Sequence, residues 1–375
     1  MSTTVWVSAK TSRNARLGGE LWVYLNWCLG FKEIGCQVVW LAEIKPDPSH
    51  PVAEQVLALR KQLSPYGLAD RIACWSHHSL PVPLDGTSVE IEEATEADLL
   101  VNLNYNTPAT IVDRFRQSAL IDIDPGLFQV WISDYNMSVP KHTCYFSTGE
   151  TVGQPGAKFP DLGIAWHYVP PAVSVNQWRP VRTTPPAPFT TISHWVSRDW
   201  LRDEDGQLYS NEKRSGFMPF IDLPRHTSQA LELALSLSDR DGPDRALLQE
   251  RGWRIQDSRS VCSSAQDYQQ YIQGSLGEFS CVKPSCIRFQ NAWISDRTLC
   301  YMASGKPAVV QHTGPSKFLP DASGLFRFRD FQQAVDALEQ VAADYDGQSR
   351  LARALAEEYF DARKVARRVL ERALD

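Results

Sequence analysis

Short apolar runs alternate with amphipathic segments along most of the chain. The run over residues 3–9 predicts a first strand, and residues 20–34 carry apolar side chains at helical spacing. A polar loop with Gly18 and Gly19 near its end joins the two, and an apolar run over 36–42 follows the helix. A strand, a glycine-containing loop, a helix and a second strand, in this order, predict the opening unit of a doubly wound α/β domain.

The rest of the first half continues this alternation. We predict a helix over 51–63 and strands over 72–75, 98–104 and 118–124, the last two of which end in polar residues. Prolines are frequent between residues 150 and 190, which predicts an irregular region containing the domain linker. The expected division is an N-terminal domain over 1–182, a second domain over 183–355 and a C-terminal helix over 356–375.

The second half shows the same kind of pattern. A strand over 189–193 opens it, and a further strand is predicted over 253–255. Helices are predicted over 226–237, 246–251, 264–274, 331–343 and 351–374. Ser264 is the expected N-cap of the third of these helices.

The segment over 277–314 is the most informative part of the chain. Apolar runs at 278–282 and 307–310 predict two buried parallel strands. Between them, Ser295 or Asp296 is suited to cap a helix that ends before Gly305. Because ligands of such sheets lie beyond the carboxyl ends of the strands, we expect a binding site where Lys283 meets the first turn of this helix.

Several motifs in this half carry a family resemblance. The sequence Met302-Ala-Ser-Gly-Lys-Pro-Ala-Val-Val310, followed by Thr313 and Gly314, resembles the donor-side signature of GT-B glycosyltransferases. Further segments are similar to bacterial glycosyltransferase-like proteins of the family 1 type: 122–126, 163–171, 220–225 and 293–297. The resemblance runs over about residues 5–370. It implies an α/β protein of the GT-B fold, with two Rossmann-like doubly wound domains facing a central cleft and a C-terminal helix crossing back.

A nucleotide-diphosphate sugar is the donor substrate that this resemblance implies, and we expect no required cofactor or metal. GT-B enzymes stabilise the leaving diphosphate with helix N-termini and cations. Here Ser295, Asp296 and Arg297 lie at a helix start, and Lys283 adds positive charge. The alternative for Ser295 and Asp296 is ordinary helix capping.

The resemblance implies three further places of contact with the donor. A basic residue near Lys213 and Arg214 contacts the diphosphate in related folds, although a solvated pair is the alternative. Gly18 and Gly19 resemble the loop that faces the donor phosphates. Thr313 and Gly314 follow the next strand, where backbone amides approach the donor. A tight turn alone would also explain Gly314.

Sugar transfer also needs a base for the attacking hydroxyl. Asp122 and Asp124 are two residues apart on a predicted strand and are expected on one face if that strand stays regular. Asp124, at the carboxyl end, is the first candidate, and the alternative is that it caps the turn at Pro125. His167 is the second candidate, in a segment predicted to be irregular, and a hydrogen-bonding or packing histidine is the alternative.

One departure from the family pattern bears on the reaction. A large retaining group of GT-B enzymes carries two glutamates eight residues apart, and the matching positions here are Ala292 and Cys300. The first hypothesis is a metal-independent glycosyltransferase of the hexosyltransferase type, acting on a small molecule or glycoconjugate. The alternatives are a nucleotide-sugar epimerase and a non-catalytic sugar-nucleotide-binding protein. The stereochemistry and the acceptor stay open.

Composition limits the partners and the compartment. With 375 residues and 43% hydrophobic residues, the chain is long enough for two globular domains. A net charge of −6, with no basic run or stripe visible in the sequence, argues against nucleic acid as a partner. No apolar run approaches the length of about 20 residues that spans a bilayer, and a cytoplasmic location is expected. The sequence does not determine the oligomeric state.

Cysteine usage agrees with a reducing compartment. The eight cysteines include no Cys-x-x-Cys pair, so we predict free thiols. Cys281 and Cys286 with His312 have no standard zinc spacing, and no metal site is predicted. His77 and His78 are expected in a surface loop.

Overall fold

A computed structural model describes residues 2–10, 18–45, 51–76, 89–197, 199–202, 205–317 and 319–375. The predicted polar loop before Gly18 and the pair His77–His78 lie outside these residues. The chain divides into two compact units. Unit 1 comprises Met1–Gly153, Pro160–Ser174 and Phe360–Asp375, and unit 2 comprises Gln154–Phe159 and Val175–Tyr359.

Within the described residues, the strands form two main sheets and one hairpin. In chain order they are β1 (Thr4–Ala9), β2 (Gln37–Glu43), β3 (Ile72–Trp75), β4 (Leu99–Asn102), β5 (Ser118–Asp122), β6 (Cys144–Ser147), β7 (Trp166–Tyr168), β8 (Phe189–His194), β9 (Trp200–Arg202), β10 (Leu208–Ser210), β11 (Leu231–Ser236), β12 (Arg254–Asp257), β13 (Gly277–Ser280), β14 (Ala308–Gln311) and β15 (Leu325–Phe328).

The α-helices connect these strands or follow the last of them. They are α1 (Gly18–Glu33), α2 (Val52–Leu63), α3 (Ala109–Val112), α4 (Leu127–Asp134), α5 (Lys213–Phe217), α6 (Gly242–Glu250), α7 (Ser258–Val261), α8 (Ala265–Gly274), α9 (Pro284–Phe289), α10 (Asp296–Ala303), α11 (Phe331–Ala343), α12 (Tyr345–Leu355) and α13 (Ala362–Leu374). A π-helical turn, Ala356–Phe360, separates α12 from α13, so the single helix predicted over 351–374 is wrong.

Each unit is built on one parallel sheet. The strand order among the described residues is β3-β2-β1-β4-β5-β6-β7 in unit 1 and β12-β11-β8-β13-β14-β15 in unit 2. Both orders run outward in two directions from the first strand, and they are therefore doubly wound. The strands are buried along most of their length, as parallel strands covered on both faces should be. The predicted α/β fold class with two Rossmann-like domains is confirmed.

The segment Leu231–Ser236 corrects one prediction. It was expected to be helical, but it is the buried strand β11 and pairs with β8 and β12. Leu231, Leu233 and Leu235 alternate with smaller or polar residues, which fits a strand. The helix-favouring alanine, leucine and glutamate of this segment are overridden by its position inside the sheet.

The last helix belongs to unit 1. Gly30 of α1 lies against Ala362, the first residue of α13, and a Cβ on Gly30 would lie 2.5 Å from the Ala362 carbonyl oxygen. The two helices therefore approach at a point where only glycine fits. Val365, Ala366 and Val369 of α13 are fully buried.

Candidate functional site

A cavity opens at the carboxyl edge of the unit 2 sheet, beside β13, β14 and the start of α10. Its free volume is about 20 Å³, which is room for about one water molecule, so a larger anion has to displace side chains that line it. Four of the predicted site residues line it together: Lys213, Ser295, Arg297 and Thr313. They come from three separate parts of the chain, so the fold brings them together.

Arg297 is held rigidly at one wall of this cavity. Its Nε donates to Oε1 of Glu278 at 2.7 Å, and Glu278 is fully buried. One terminal nitrogen donates to the Ile192 carbonyl at 2.9 Å and the other to Ser280 Oγ at 2.7 Å. A guanidinium carries five N–H groups, so each terminal nitrogen keeps one further N–H that can donate a hydrogen bond to an anion.

Lys213 supplies a second cation, from the first residue of α5. Its Nζ donates to the Cys281 carbonyl at 2.7 Å. Burial lowers the pKa of Lys213 to about 8, and the positive charges of Arg297 and Lys283 act in the same direction. Lys213 is therefore mostly protonated at neutral pH, and an incoming anion would stabilise that charge.

The amino end of α10 also faces this cavity. Ser295 is the N-cap residue, with φ −72° and ψ 139°, but its hydroxyl makes no capping hydrogen bond. The expected side-chain cap at Ser295 is therefore absent, because its hydroxyl does not accept from the first turn. The first N–H groups of α10 receive no cap from Ser295, and N–H groups at a helix start attract anions. Asp296 is the first helical residue and does not line the cavity.

The loop after β14 closes another side. Thr313 Oγ1 donates to the Trp293 carbonyl at 2.6 Å. Gly314 has φ +137°, and a Cβ there would lie 2.5 Å from the Gln290 carbonyl oxygen, so a close approach requires glycine. The Gly314 carbonyl accepts a hydrogen bond from Arg327 at 3.3 Å.

Sequence reasoning missed Arg327, which also lines the cavity and is 7% exposed. Its guanidinium pairs with Asp321 at 2.6 Å and donates to the Leu319 carbonyl at 3.2 Å. It thereby ties the loop after β14 to β15. The available signal was a single charged residue within the apolar run Leu325–Phe328.

Two predicted cations lie away from the cavity. Arg214 forms a bidentate ion pair with Asp244, in which its guanidinium nitrogens donate to the two carboxylate oxygens at 2.6 and 3.0 Å. These hydrogen bonds lower the pKa of Asp244. Lys283 occupies the N-cap position of α9 without a side-chain capping bond, and its Nζ lies 3.4 Å from an oxygen of Asp199. The positive charge of Lys283 helps to lower the pKa of Lys213, but neither Lys283 nor Arg214 lines the cavity.

In unit 1, β5 ends at Asp122, before the second of the two predicted carboxylates. The strand ends at Asp122, which is fully buried and accepts hydrogen bonds from Gln129, Ser147 and the backbone N–H of Asp124 at 3.0, 2.8 and 2.9 Å. Asp124 lies beyond the strand, in the turn, and is partly exposed. The expected shared face required a regular strand through Asp124, and this condition is not met because β5 ends at Asp122.

Burial raises the pKa of Asp122 to about 6, although its hydrogen bonds from Gln129 and Ser147 oppose the shift. Tyr105, which the sequence reasoning missed, strengthens this turn. Its hydroxyl lies 3.2 Å from Asp122 and accepts the N–H groups of residues 123 and 124 at 2.8 and 3.1 Å. The backbone that carries Asp124 is therefore fixed from two sides.

His167 lies in β7 rather than in an irregular segment. Its Nε2 accepts a hydrogen bond from Arg372 Nε at 3.2 Å. Burial and the charge of Arg372 lower the pKa of His167, so the ring is neutral but one lone pair is engaged. Gly18 and Gly19 begin α1 in the same unit.

The structure also places the cysteines and the two positions that depart from the family pattern. All eight cysteines are free, as predicted. Within the described residues, no group of three or more His, Cys, Asp or Glu side chains is arranged to hold a metal ion. Ala292 and Cys300, the positions of the missing glutamates, are both buried.

Comparison with solved structures identifies the architecture. An α-glucosyltransferase in complex with UDP-glucose and DNA superposes over 100% of both chains, with a TM-score of 0.60 and 10% identity. The chain has the GT-B fold. Anabaena HepE, solved with UDP and glucose, gives a TM-score of 0.57 at 10% identity over 99% of both chains. Sucrose-phosphate synthase from Thermosynechococcus elongatus gives 0.55 at 12% identity over 98% of both chains.

These structural similarities show the GT-B fold, and sequence identities this low do not identify the reaction. Comparisons with protein-family models and with curated proteins give no match. Across the described parts of this GT-B chain, none of the helices has both the length and the apolar character needed to cross a bilayer.

Proposed function

We propose that this chain is a glycosyltransferase that uses a nucleotide-diphosphate sugar as its donor. The observation that carries the proposal is the cavity lined by Lys213, Arg297 and the amino end of α10. The two cations and the N–H groups at the helix start surround one small space, and the only carboxylate bonded to either of these cations within the described residues is that of Glu278. A diphosphate matches this combination of charge and donors.

In this proposal, the cavity stabilises the negative charge that develops on the departing diphosphate. Arg297 is already oriented by Glu278, so little reorganisation is needed when the charge appears. Thr313 and Gly314 would hold the sugar-nucleotide from the loop after β14. No metal is assigned a role, because the fixed cations can supply the positive charge that the leaving group needs.

Asp124 is the proposed general base in unit 1. It is partly exposed at the carboxyl edge of the sheet, and its backbone is fixed because its N–H donates to Tyr105 and Asp122. His167 is the weaker candidate, because Arg372 occupies its Nε2. Asp124→Asn should abolish transfer and leave donor binding within about twofold of wild type. Retained transfer would remove Asp124 from this role.

A second candidate function is donor binding without efficient transfer. It is favoured by Ala292 and Cys300, which occupy the positions where retaining relatives of this fold carry glutamates. An epimerase is distinguished from both, because it would convert the donor with no acceptor present.

Donor binding is tested by measuring the Tm of the protein in the presence of each of a panel of nucleotides and nucleotide-sugars. A ligand at about 100 times its dissociation constant stabilises the folded state by roughly 2.7 kcal/mol, which raises the Tm by about 2 °C or more at this size. We expect a selective rise with a uridine or another nucleoside diphosphate sugar. The absence of any rise with the whole panel would contradict the proposal.

A donor that raises the Tm is then incubated with the protein, with and without acceptor mixtures, and the products are separated by mass. Sugar transferred to an acceptor supports the glycosyltransferase, and an isomeric donor sugar formed without acceptor supports the epimerase. An unchanged donor with every acceptor supports the binding protein.

A further inference from the structure

The last helix carries a basic surface whose residues are not contiguous in the sequence. In α13, Arg363, Lys364, Arg367, Arg368 and Arg372 are all exposed, and Glu371 is the one acidic residue within the helix. Residues of an α-helix are spaced by about 100°, so these six side chains occupy one half of its circumference. The expectation that the chain has no basic stripe is therefore wrong, because helical periodicity gathers residues that are interrupted in sequence.

The opposite half of α13 is fixed on unit 1. Val365, Ala366 and Val369 are fully buried, and Ala362 packs tightly against Gly30 of α1. The helix cannot rotate without exposing this apolar side. The cationic half is thus a permanent surface feature of the fold.

Most of this positive charge has no acidic partner among the described residues. Arg363 is paired with Asp361, but Arg367, Arg368 and Arg372 form no ion pair with a described carboxylate. The contact of Arg372 is with the imidazole of His167, whose pKa is lowered. A local excess of cations persists in a chain whose net charge is −6.

Apolar side chains border the cationic surface along one edge. Leu374 is 40% exposed and Leu370 is partly exposed. With Arg363 and Arg367 they follow the spacing i, i+4, i+7 and i+11, so they form one line along the helix. An exposed apolar edge beside arginines is suited to the boundary between lipid headgroups and acyl chains.

We propose that the exposed face of α13, formed by Arg363, Lys364, Arg367, Arg368 and Arg372, adsorbs this protein to an anionic lipid bilayer. Attraction to acidic headgroups supplies the binding, and Leu374 enters the headgroup boundary. A nucleic acid could contact the same cations through its phosphates, but it offers no apolar layer for the exposed Leu374, so a bilayer fits this face better.

The test is co-sedimentation of the full chain with vesicles. Phosphatidylcholine vesicles are compared with vesicles in which one-third of the lipid is phosphatidylglycerol, at about 0.1 M salt. We expect binding to the anionic vesicles alone, and weaker binding as salt increases. Each basic side chain near an anionic surface is worth about a fivefold change in partitioning, so the triple variant Arg367→Gln, Arg368→Gln, Arg372→Gln should lose about 100-fold.

Two matched variants separate the surface from total charge. Arg245→Gln, Arg254→Gln, Arg350→Gln together remove the same charge from exposed positions of unit 2, and they should leave vesicle binding unchanged. Glu371→Gln removes the acid of the basic face and should strengthen binding about fivefold.

Three results would overturn the proposal: equal binding to both kinds of vesicle, equal losses in the two triple variants, or binding to duplex DNA but not to vesicles. Circular dichroism of each variant verifies that the helix is intact. Because vesicle binding needs neither donor nor acceptor, the result is independent of the proposed glycosyltransferase activity.

Discussion

Donor binding should depend on pH through Lys213. The pKa of this lysine is about 8 in the free protein, because it is buried beside other cations. About nine-tenths of the molecules carry the charge at pH 7 and about one-tenth at pH 9, given that pKa. A bound diphosphate favours the charged form, so affinity falls as pH rises through the free-state pKa. We expect the Kd for UDP to increase about tenfold between pH 7 and pH 9.

Isothermal titration calorimetry measures both parts of this prediction. The Kd is obtained across the pH range, and enthalpies in buffers with different ionisation enthalpies give the protons taken up. At pH 8, binding should take up about half a proton per site, because about half of the lysines start uncharged.

Lys213→Met separates this lysine from other titrating groups. It should raise the Kd about 10- to 100-fold at pH 7, since a hydrogen bond to a charged group is worth about 1.5–3 kcal/mol, and it should flatten the pH dependence. Arg214→Met is the matched control. It removes a neighbouring cation that is bonded to Asp244 and should keep the wild-type slope. A wild-type Kd that is constant from pH 7 to 9, or an equal slope in Lys213→Met, would show that Lys213 does not bind the diphosphate.

Three further changes test the structure itself by urea unfolding. Gly30→Ala should destabilise the fold by about 1–3 kcal/mol through a clash with α13, whereas Gly274→Ala, with open space around its Cβ, should be neutral or slightly stabilising; equal effects would contradict the close approach. Asp122→Asn should remove a pH-dependent loss of stability. Because burial raises the carboxyl pKa from 3.8 to about 6, the wild-type free energy of unfolding should fall by about 3 kcal/mol relative to the variant as pH rises from about 3 to about 7. Parallel pH profiles would argue against a buried charge there. Glu278→Gln should cost about 3–5 kcal/mol by leaving Arg297 buried without its counter-charge, and a cost below about 1 kcal/mol would contradict that pairing.

The elements that the sequence predicted well are those with complete local signals. The helix α11 has the same bounds as its prediction, because an apolar stripe follows a capping aspartate at Asp330. Ser264 caps α8 as expected, with its hydroxyl accepting from Asp267 N–H at 3.1 Å. The strand β11 was missed because its helix-favouring composition outweighed its alternation, and only its neighbours in the sheet determine the outcome.

The candidate site was predictable only where its residues follow a strand or begin a helix. Ser295, Arg297 and Thr313 were found in this way. Arg327 and Glu278 were not, because each acts through a partner that folding brings from elsewhere in the chain. The same limit hid Tyr105, whose hydroxyl fixes a turn about 18 residues further along.

We propose that the cavity beside α10 binds the diphosphate of a nucleotide sugar. The most direct test is a crystal structure of the protein with UDP-glucose. We predict the diphosphate within hydrogen-bond distance of Lys213 Nζ and of the free N–H groups of Arg297, at the first turn of α10. A nucleotide bound elsewhere, with this cavity left to solvent, would contradict the account.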